Sequence, residues 1–361
     1  LGMGAGLLVL GHWLAEWLPK NLTRLGLLER SARPHGPRPP EDMWLHLAKE
    51  AGEWAGYLLM ALVVVALIRR IPYRWFRWVH KAFGLLFVAG AYHGLMLLPA
   101  AFWQQPLGWL TAALAAAGVV PALLSLSGRI GRSRRVPARI ERLHQLDDGV
   151  LEVVCRPEMA WSGHRPGQFM FVDFGHAGEG AHPFTIASDW NADEGRLRVL
   201  IKSLGDYTGT LATRLSVGQR VVLEGPYGGF TFDQADGSAA PQIWVAGGIG
   251  ITPFLARMQE LARQPAAGGI RAELFYSTRQ PPAADEAARL GTLCQAAGVR
   301  LHLRATDLQG FLTPEEISSR LVPGTNVWFC GPAAWGRQLA ERLTQGGLPA
   351  AAFHREAFEF R

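Results

Sequence analysis

Charged residues are scarce in this chain. Asp, Glu, Lys and Arg together make up 18% of its 361 residues, against about a quarter in an ordinary soluble domain. The deficit is local, because residues 1–127 hold nearly all the long apolar runs and the remainder reads as an ordinary globular sequence. Cysteine is scarce as well. Cys155, Cys294 and Cys330 are too few and too scattered for a disulfide framework or a zinc site, which fits a reducing compartment. Internal repeats and low-complexity tracts are missing, so a solenoid is excluded. No charged flank marks the start as a signal peptide. The chain begins with Leu1 inside an apolar run, and a missing upstream part is the expectation.

Positive charge is in modest excess, with a net charge of +6, but its placement argues against nucleic acid. Arg69, Arg70, Arg74 and Arg77, then Arg129, Arg132, Arg134 and Arg135, flank apolar runs as membrane topology demands. Those runs cover roughly 3–18, 54–68, 82–98 and 107–127. The middle two are short for a bilayer span of about 20 residues, and Trp54, Tyr57, Trp75 and Trp78 extend them as interfacial aromatics. Buried helices of a soluble α-domain are the alternative. Polar faces are nearly absent, and a helix that is apolar all round must be surrounded by protein or lipid. The cationic stretch 69–81, ending in Lys81 and free of acids, is expected to be a cytoplasmic connection, as is RIGRSRRVPAR after the last run. The loop at 19–53 then lies outside, with His35 and His46 solvated.

Two histidines interrupt the third run. His80 and His93 lie thirteen residues apart, which is about 19.5 Å of helix and about 140° around it at 100° per residue. An intramembrane histidine either makes an interhelical hydrogen bond or serves a function, and haem iron takes imidazole well. Two haems, one near each membrane surface, would use this separation. His12 lies at the depth of His93 and is its expected co-ligand; His80 has no partner of suitable depth in this chain.

From about residue 135 the pattern changes. VLEVVCR, QFMFVDF, LRVLIKS and QRVVLEG alternate like strands of a small antiparallel barrel. From about 241 the order becomes strand, glycine turn, helix, strand, as in a parallel α/β domain.

The motifs of this half are nucleotide-like. In HPFTIAS, His182 to Ser188, the Thr185 hydroxyl can bond a flavin ring while His182, Pro183 and Phe184 hold it; a plain edge-strand turn is the alternative. Lys202 and GDYTGTLATRL follow, with Gly205, Tyr207 and Thr208 ahead of a helix whose N-terminus suits pyrophosphate. VAGGIGITPF places Gly247, Gly248, Gly250, Thr252 and Pro253 between a strand and a helix, where bare backbone approaches a dinucleotide phosphate. It is not GxGxxG, and a tight turn alone would also explain it. Ser277 and Arg279 in YSTRQ suit a 2′-phosphate, favouring NADPH over NADH. FCGP places Cys330, Gly331 and Pro332 at the end of another strand. Cys330 there faces a nicotinamide or is an inert buried thiol. Phe360, near the end, stacks on a flavin or simply packs.

The ordered set HPFTIAS, GDYTGTL, LEGPYGGF, GGIGITPF, FCGP and a terminal aromatic resembles the ferredoxin-NADP reductase superfamily. With histidines thirteen apart in a preceding apolar segment, the whole chain resembles the NADPH oxidase and transmembrane ferric reductase family. The resemblance implies a multidomain chain: an incomplete α-helical membrane bundle at 1–130, an antiparallel β-barrel FAD domain at 133–236, and a parallel-sheet α/β NAD(P) domain at 240–361. It implies FAD, NADPH and haem b, with His12, His80 and His93 as iron ligands. Cys330 is the nicotinamide-side cysteine, and Phe360 the flavin-shielding aromatic. The first two spans and the co-ligand of His80 are absent from this pattern, and Arg361 is an extra residue after Phe360. The expected function is electron transfer from cytoplasmic NADPH through FAD and haem, across an integral membrane part in contact with lipid, to dioxygen or a ferric chelate. The alternatives are a flavin reductase serving a partner protein, and a haem-binding anchor without turnover.

Overall fold

A computed structural model of the chain describes residues 2–28, 42–67, 73–146, 149–176, 179–232, 240–264 and 271–357. It divides into two compact units, a helical one over Leu1–Arg132 and a β-rich one over Ser133–Phe360.

The helical unit contains α1 (Gly2–Arg24), α2 (Met43–Leu67), α3 (Tyr73–Met96) and α4 (Pro106–Leu126), each packed against the next in sequence. Pro106 opens α4 in its first turn, where a missing N–H costs nothing. Small residues bring the helices close. A methyl on Gly118 would overlap the Phe87 ring, and Gly84 lies against Leu126 and the Ala122 carbonyl. The expected connection at 69–81 is mostly helix, because α3 starts at Tyr73. Nothing between 73 and 81 is a glycine or proline, so no helix breaker interrupts the first turns of α3. Among the described residues, α4 is the one helix long and apolar enough to cross a membrane. Little of this unit is enclosed by protein: Ala48 and Ala55 are buried, while Leu8 and Trp109 are largely exposed.

In the second unit, β1 (Arg135–Leu146), β2 (Val150–Pro157), β3 (Phe169–Asp173), β4 (His182–Thr185), β5 (Leu197–Lys202) and β6 (Arg220–Tyr227) form one antiparallel sheet. Its order is β4-β3-β6-β1-β2-β5. An isolated bridge between Ile186 and Val199 joins the two edges, so the sheet curls towards a barrel, with α5 (Asp206–Arg214) following β5. Alternation sets the inside: Leu197, Val199 and Ile201 of β5 are buried, as period-two patterning requires, together with Ile140, Val153, Met170 and Leu223.

The second sheet is parallel, in the order β11-β10-β7-β8-β9. Its elements are β7 (Gln242–Gly247), α6 (Thr252–Arg263), β8 (Ala272–Thr278), α7 (Ala284–Ala297), β9 (Val299–Ala305), the short α8 (Thr306–Gln309) and α9 (Pro314–Ser318), β10 (Asn326–Gly331), α10 (Ala333–Gln345) and β11 (Phe353–Ala357). Both faces are covered, one by a cluster around Trp244, Phe254 and Trp328 and the other around Phe329, Leu339 and Leu343. That double burial explains the near-continuous apolar run of β7. Phe230 and Phe232, just beyond β6, join the Trp244 cluster, so the barrel's exit segment is built into the core of the parallel sheet.

Candidate functional site

Ligands of open α/β folds bind beyond the carboxyl ends of the strands. Here that edge collects most of the nucleotide motif. Gly247 ends β7 and pairs with Ser277 of β8, and Ser277 is buried. Gly250 lies in the tight turn Gly248–Ile251, where an added methyl would overlap the Cys330 carbonyl. A methyl on Gly247 would lie 2.9 Å from Pro332 and Trp335. Bare backbone is therefore a packing requirement between β7 and β10. Thr252 is buried and donates to the Ile249 carbonyl at 3.2 Å, and Pro253 occupies the first turn of α6. Arg279 is exposed beyond β8.

Cys330 is fully buried. Burial, reinforced by the charge of Glu356, pushes its thiol well above the usual range, so it stays protonated and is no nucleophile. Gly331 is also buried, and Pro332 is exposed. Glu356 of β11 is the cross-strand neighbour of Cys330. Its carboxyl is pushed up to about 7 by burial, and its Oε2 has no hydrogen-bond partner. Sequence reasoning missed Glu356, because its neighbour is set by the β10–β11 pairing and not by any local motif.

The barrel presents a second group. His182, Pro183, Phe184 and Thr185 are the four residues of β4, paired with Val172, Phe171, Met170 and Phe169 of β3. His182 stacks on Tyr207 of α5, with ring centroids 4.0 Å apart and planes 19° apart. His176 meets the same tyrosine edge-on at 6.3 Å. Three buried polar atoms, Thr185 Oγ1, Tyr207 Oη and His176 Nδ1, have no hydrogen-bond partner. Such atoms are costly unless a ligand or water satisfies them. Burial, with the charges of Asp173 and Glu179 behind it, pushes the Tyr207 hydroxyl up to about 12, so it remains a donor.

Other expected residues have partners already. Thr208 Oγ1 accepts from the Leu204 and Gly205 amides at 3.0 and 3.2 Å, so this hydroxyl shapes the entry to α5. Ser188 Oγ accepts from the Arg198 amide, and its carbonyl contacts His164 Nε2. Lys202 is half-buried on β5. Phe360 lies outside the described residues. Asp189, next to the flavin-like motif, pairs with Arg263 of α6 at 2.7 Å, and Arg263 also reaches the Trp190 carbonyl. The C-terminal end of α6 is thus tied to the segment that follows the flavin-like motif.

In the helical unit, His12 and His93 face each other with ring centroids 6.5 Å apart and planes 76° apart. Metal–imidazole bonds of roughly 2 Å on each side fit between rings so spaced. Among the described residues no group of three or more His, Cys, Asp or Glu is placed to hold a metal ion. Position 80 lies within α3, but the His80 side chain lies outside the described residues, as does His35. His46 is exposed and 3.8 Å from Glu50.

Residues 136–231 match a family described as an FAD-binding domain. The heme-dependent oxidative N-demethylase beta subunit of Ectopseudomonas mendocina is 34% identical over 183 residues, 48% of this chain and 54% of that subunit. The carnitine monooxygenase reductase subunit of Escherichia coli is 30% identical over 148 residues, 41% of this chain and 43% of that protein. Ferric reduction oxidase 4 of Arabidopsis thaliana is 42% identical over 86 residues, 23% of this chain and 12% of that protein. The chain thus spans about half, or less, of the curated relatives it matches. The structure of a flavohemoglobin from Malassezia yamatoensis with bound FAD and heme aligns with a TM-score of 0.56 at 21% identity, over 90% of this chain and 81% of that one; at this identity the likeness is one of fold. Helices, an antiparallel FAD-type barrel and a parallel NAD-type sheet, in that order, make this chain a carrier of a ferredoxin reductase-type FAD/NAD module.

Proposed function

We propose that the chain is an FAD-dependent NAD(P)H oxidoreductase that delivers electrons to an acceptor other than its own nucleotide. The observation that carries this is the set of unpartnered polar atoms, Thr185 Oγ1, Tyr207 Oη and His176 Nδ1, inside a segment matching FAD-binding domains. Thr185 and Tyr207 supply hydroxyl donors to the flavin ring, His182 and Phe184 hold its surroundings, and Lys202 and the α5 entry at Gly205 receive the pyrophosphate. Gly247, Gly248 and Gly250 admit the nicotinamide nucleotide, with Ser277 and Arg279 selecting NADPH. Cys330 walls that side, and Glu356 holds a proton beside it near neutral pH. FAD, when bound, takes a hydride and gives up electrons singly. The relatives, a demethylase subunit and a monooxygenase reductase subunit, favour a partner protein as the acceptor.

A second reading is favoured by the His12–His93 pair and the ferric reduction oxidase likeness. In it the helical unit holds haem b, spans the membrane, and passes electrons to dioxygen or ferric chelate outside, with the reductase half cytoplasmic. Bound haem would carry one electron at a time. Purified full-length chain separates the two. NADPH-driven bleaching of flavin is expected in both, a reduced b-type haem band only in the second. Flavin that NADPH does not bleach would overturn the proposal.

A further inference from the structure

Two consecutive residues of α3 reach across to α2 in the same manner. Tyr92 Oη donates to the Trp44 carbonyl at 2.9 Å, and His93 Nδ1 lies 2.9 Å from the Ala48 carbonyl. A carbonyl only accepts, so Nδ1 must carry the proton. Nε2 is then the one ring nitrogen with a free lone pair, as a metal ligand requires. One turn further along α2, a methyl on Gly52 would fall inside the His93 imidazole. Residues 44, 48 and 52 recur every four positions, so they share one face of α2. That face anchors Tyr92, fixes the His93 tautomer and leaves a notch for its ring.

Gly118 has a comparable close contact, with the Phe87 ring, but on α2 the notch is confined to Gly52. Gly56, the next turn of α2, would meet nothing within 4 Å, and neither would Gly90 or Gly94 on α3.

We infer that Gly52 and the Ala48 carbonyl are positioning elements that set the orientation and basicity of His93 as an iron ligand opposite His12. This rests on the second reading above, in which haem lies between the two histidines. Hydrogen bonds to the far nitrogen of a ligating histidine fix its tautomer and raise its basicity. Removing the notch rotates the ring and breaks that bond.

The test compares Gly52→Ala with Gly56→Ala in the full-length chain. Both add the same methyl to the same helix, and one meets the imidazole. Haem retained per chain is expected to fall about tenfold or more in G52A, with loss of the low-spin bis-histidine spectrum in what remains and a raised midpoint potential. G56A should match wild type, and flavin content and NADPH-driven flavin reduction should be unchanged in both. G52A indistinguishable from G56A overturns the inference alone. Wild type without a b-type band overturns the haem reading and the inference with it. Should G52A fail to accumulate, ¹⁵N NMR of His93 in the haem-free wild-type chain decides: an Nδ1-protonated ring supports the inference, and an Nε2-protonated one overturns it.

Discussion

In the β-rich unit, Trp244, Trp328, Phe254 and Met170 are enclosed by their own chain, whereas the helical unit leaves Leu8 at 77% and Leu114 at 63% exposure. Both units are rich in apolar residues, but only the first contains the partners for them. Its two sheets bury one face in the barrel and both faces in the parallel layer, at the close-packed density that makes truncating a core tryptophan cost about 3–5 kcal/mol. The helices pair by small residues such as Gly84 and Gly118 and leave their broad sides uncovered. Exposed apolar surface of that extent calls for lipid or another protein. The proposed functions divide along the same line: enclosed polar atoms without partners lie in the β-rich unit, and two facing imidazoles in the helical one.

The strongest challenge to this division is His93→Ala. On the haem reading it abolishes the outer haem's b-type signal, while flavin reduction by NADPH in the other unit continues at the wild-type rate; difference spectra of the full-length chain check both. Next comes Gly250→Ala. Its methyl has no room against the Cys330 backbone, and displacing the loop should lower kcat/KM for NADPH on the order of 100-fold in a dye-reduction assay, without touching haem content.

Glu356→Gln probes enclosure itself. A carboxyl raised from 4.5 to about 7 by burial is neutral at low pH in both folded and unfolded chains. As pH rises from about 4.5 towards 7, the unfolded chain releases its proton first, so the wild type loses stability across that window, on the order of 3 kcal/mol. Denaturant midpoints of the β-rich unit should fall with pH in the wild type and flatten in the variant. A parallel fall in both would place the cause elsewhere. The smallest effect is expected for Arg263→Ala, which removes the partly exposed ion pair to Asp189. A loss below about 1 kcal/mol corresponds to a few degrees at most in the melting temperature, and a larger one would mean that this tie is cooperative.

Much of the scaffold was legible along the chain. Period-two alternation located β2, β3, β5 and β6, and the strand–glycine–helix order of VAGGIGITPF located β7 and α6, because local patterning follows which face is buried. Less was legible where long-range pairing decides. The segment 69–81 reads as a charged connection but is mostly α3, since arginine is itself a good helix former. The terminal EAFEFR reads as a tail carrying an aromatic, yet its first residues belong to β11, an edge strand that exists only because β10 is there to pair with it. Thr208 reads as a phosphate ligand but caps its own helix, a local hydrogen bond that competes with any ligand.

Residue order alone settled the division into an apolar helical half and a two-sheet nucleotide half, since periodicity and glycine placement are local properties. It also named Thr185, Gly250 and His93 as residues to watch. Only the tertiary arrangement placed His12 opposite His93, Glu356 beside Cys330, and Gly52 under the imidazole. Those pairings join residues 81, 26 and 41 positions apart in sequence by helix packing and strand register, and no local signal encodes the side of a helix on which a distant ring will land.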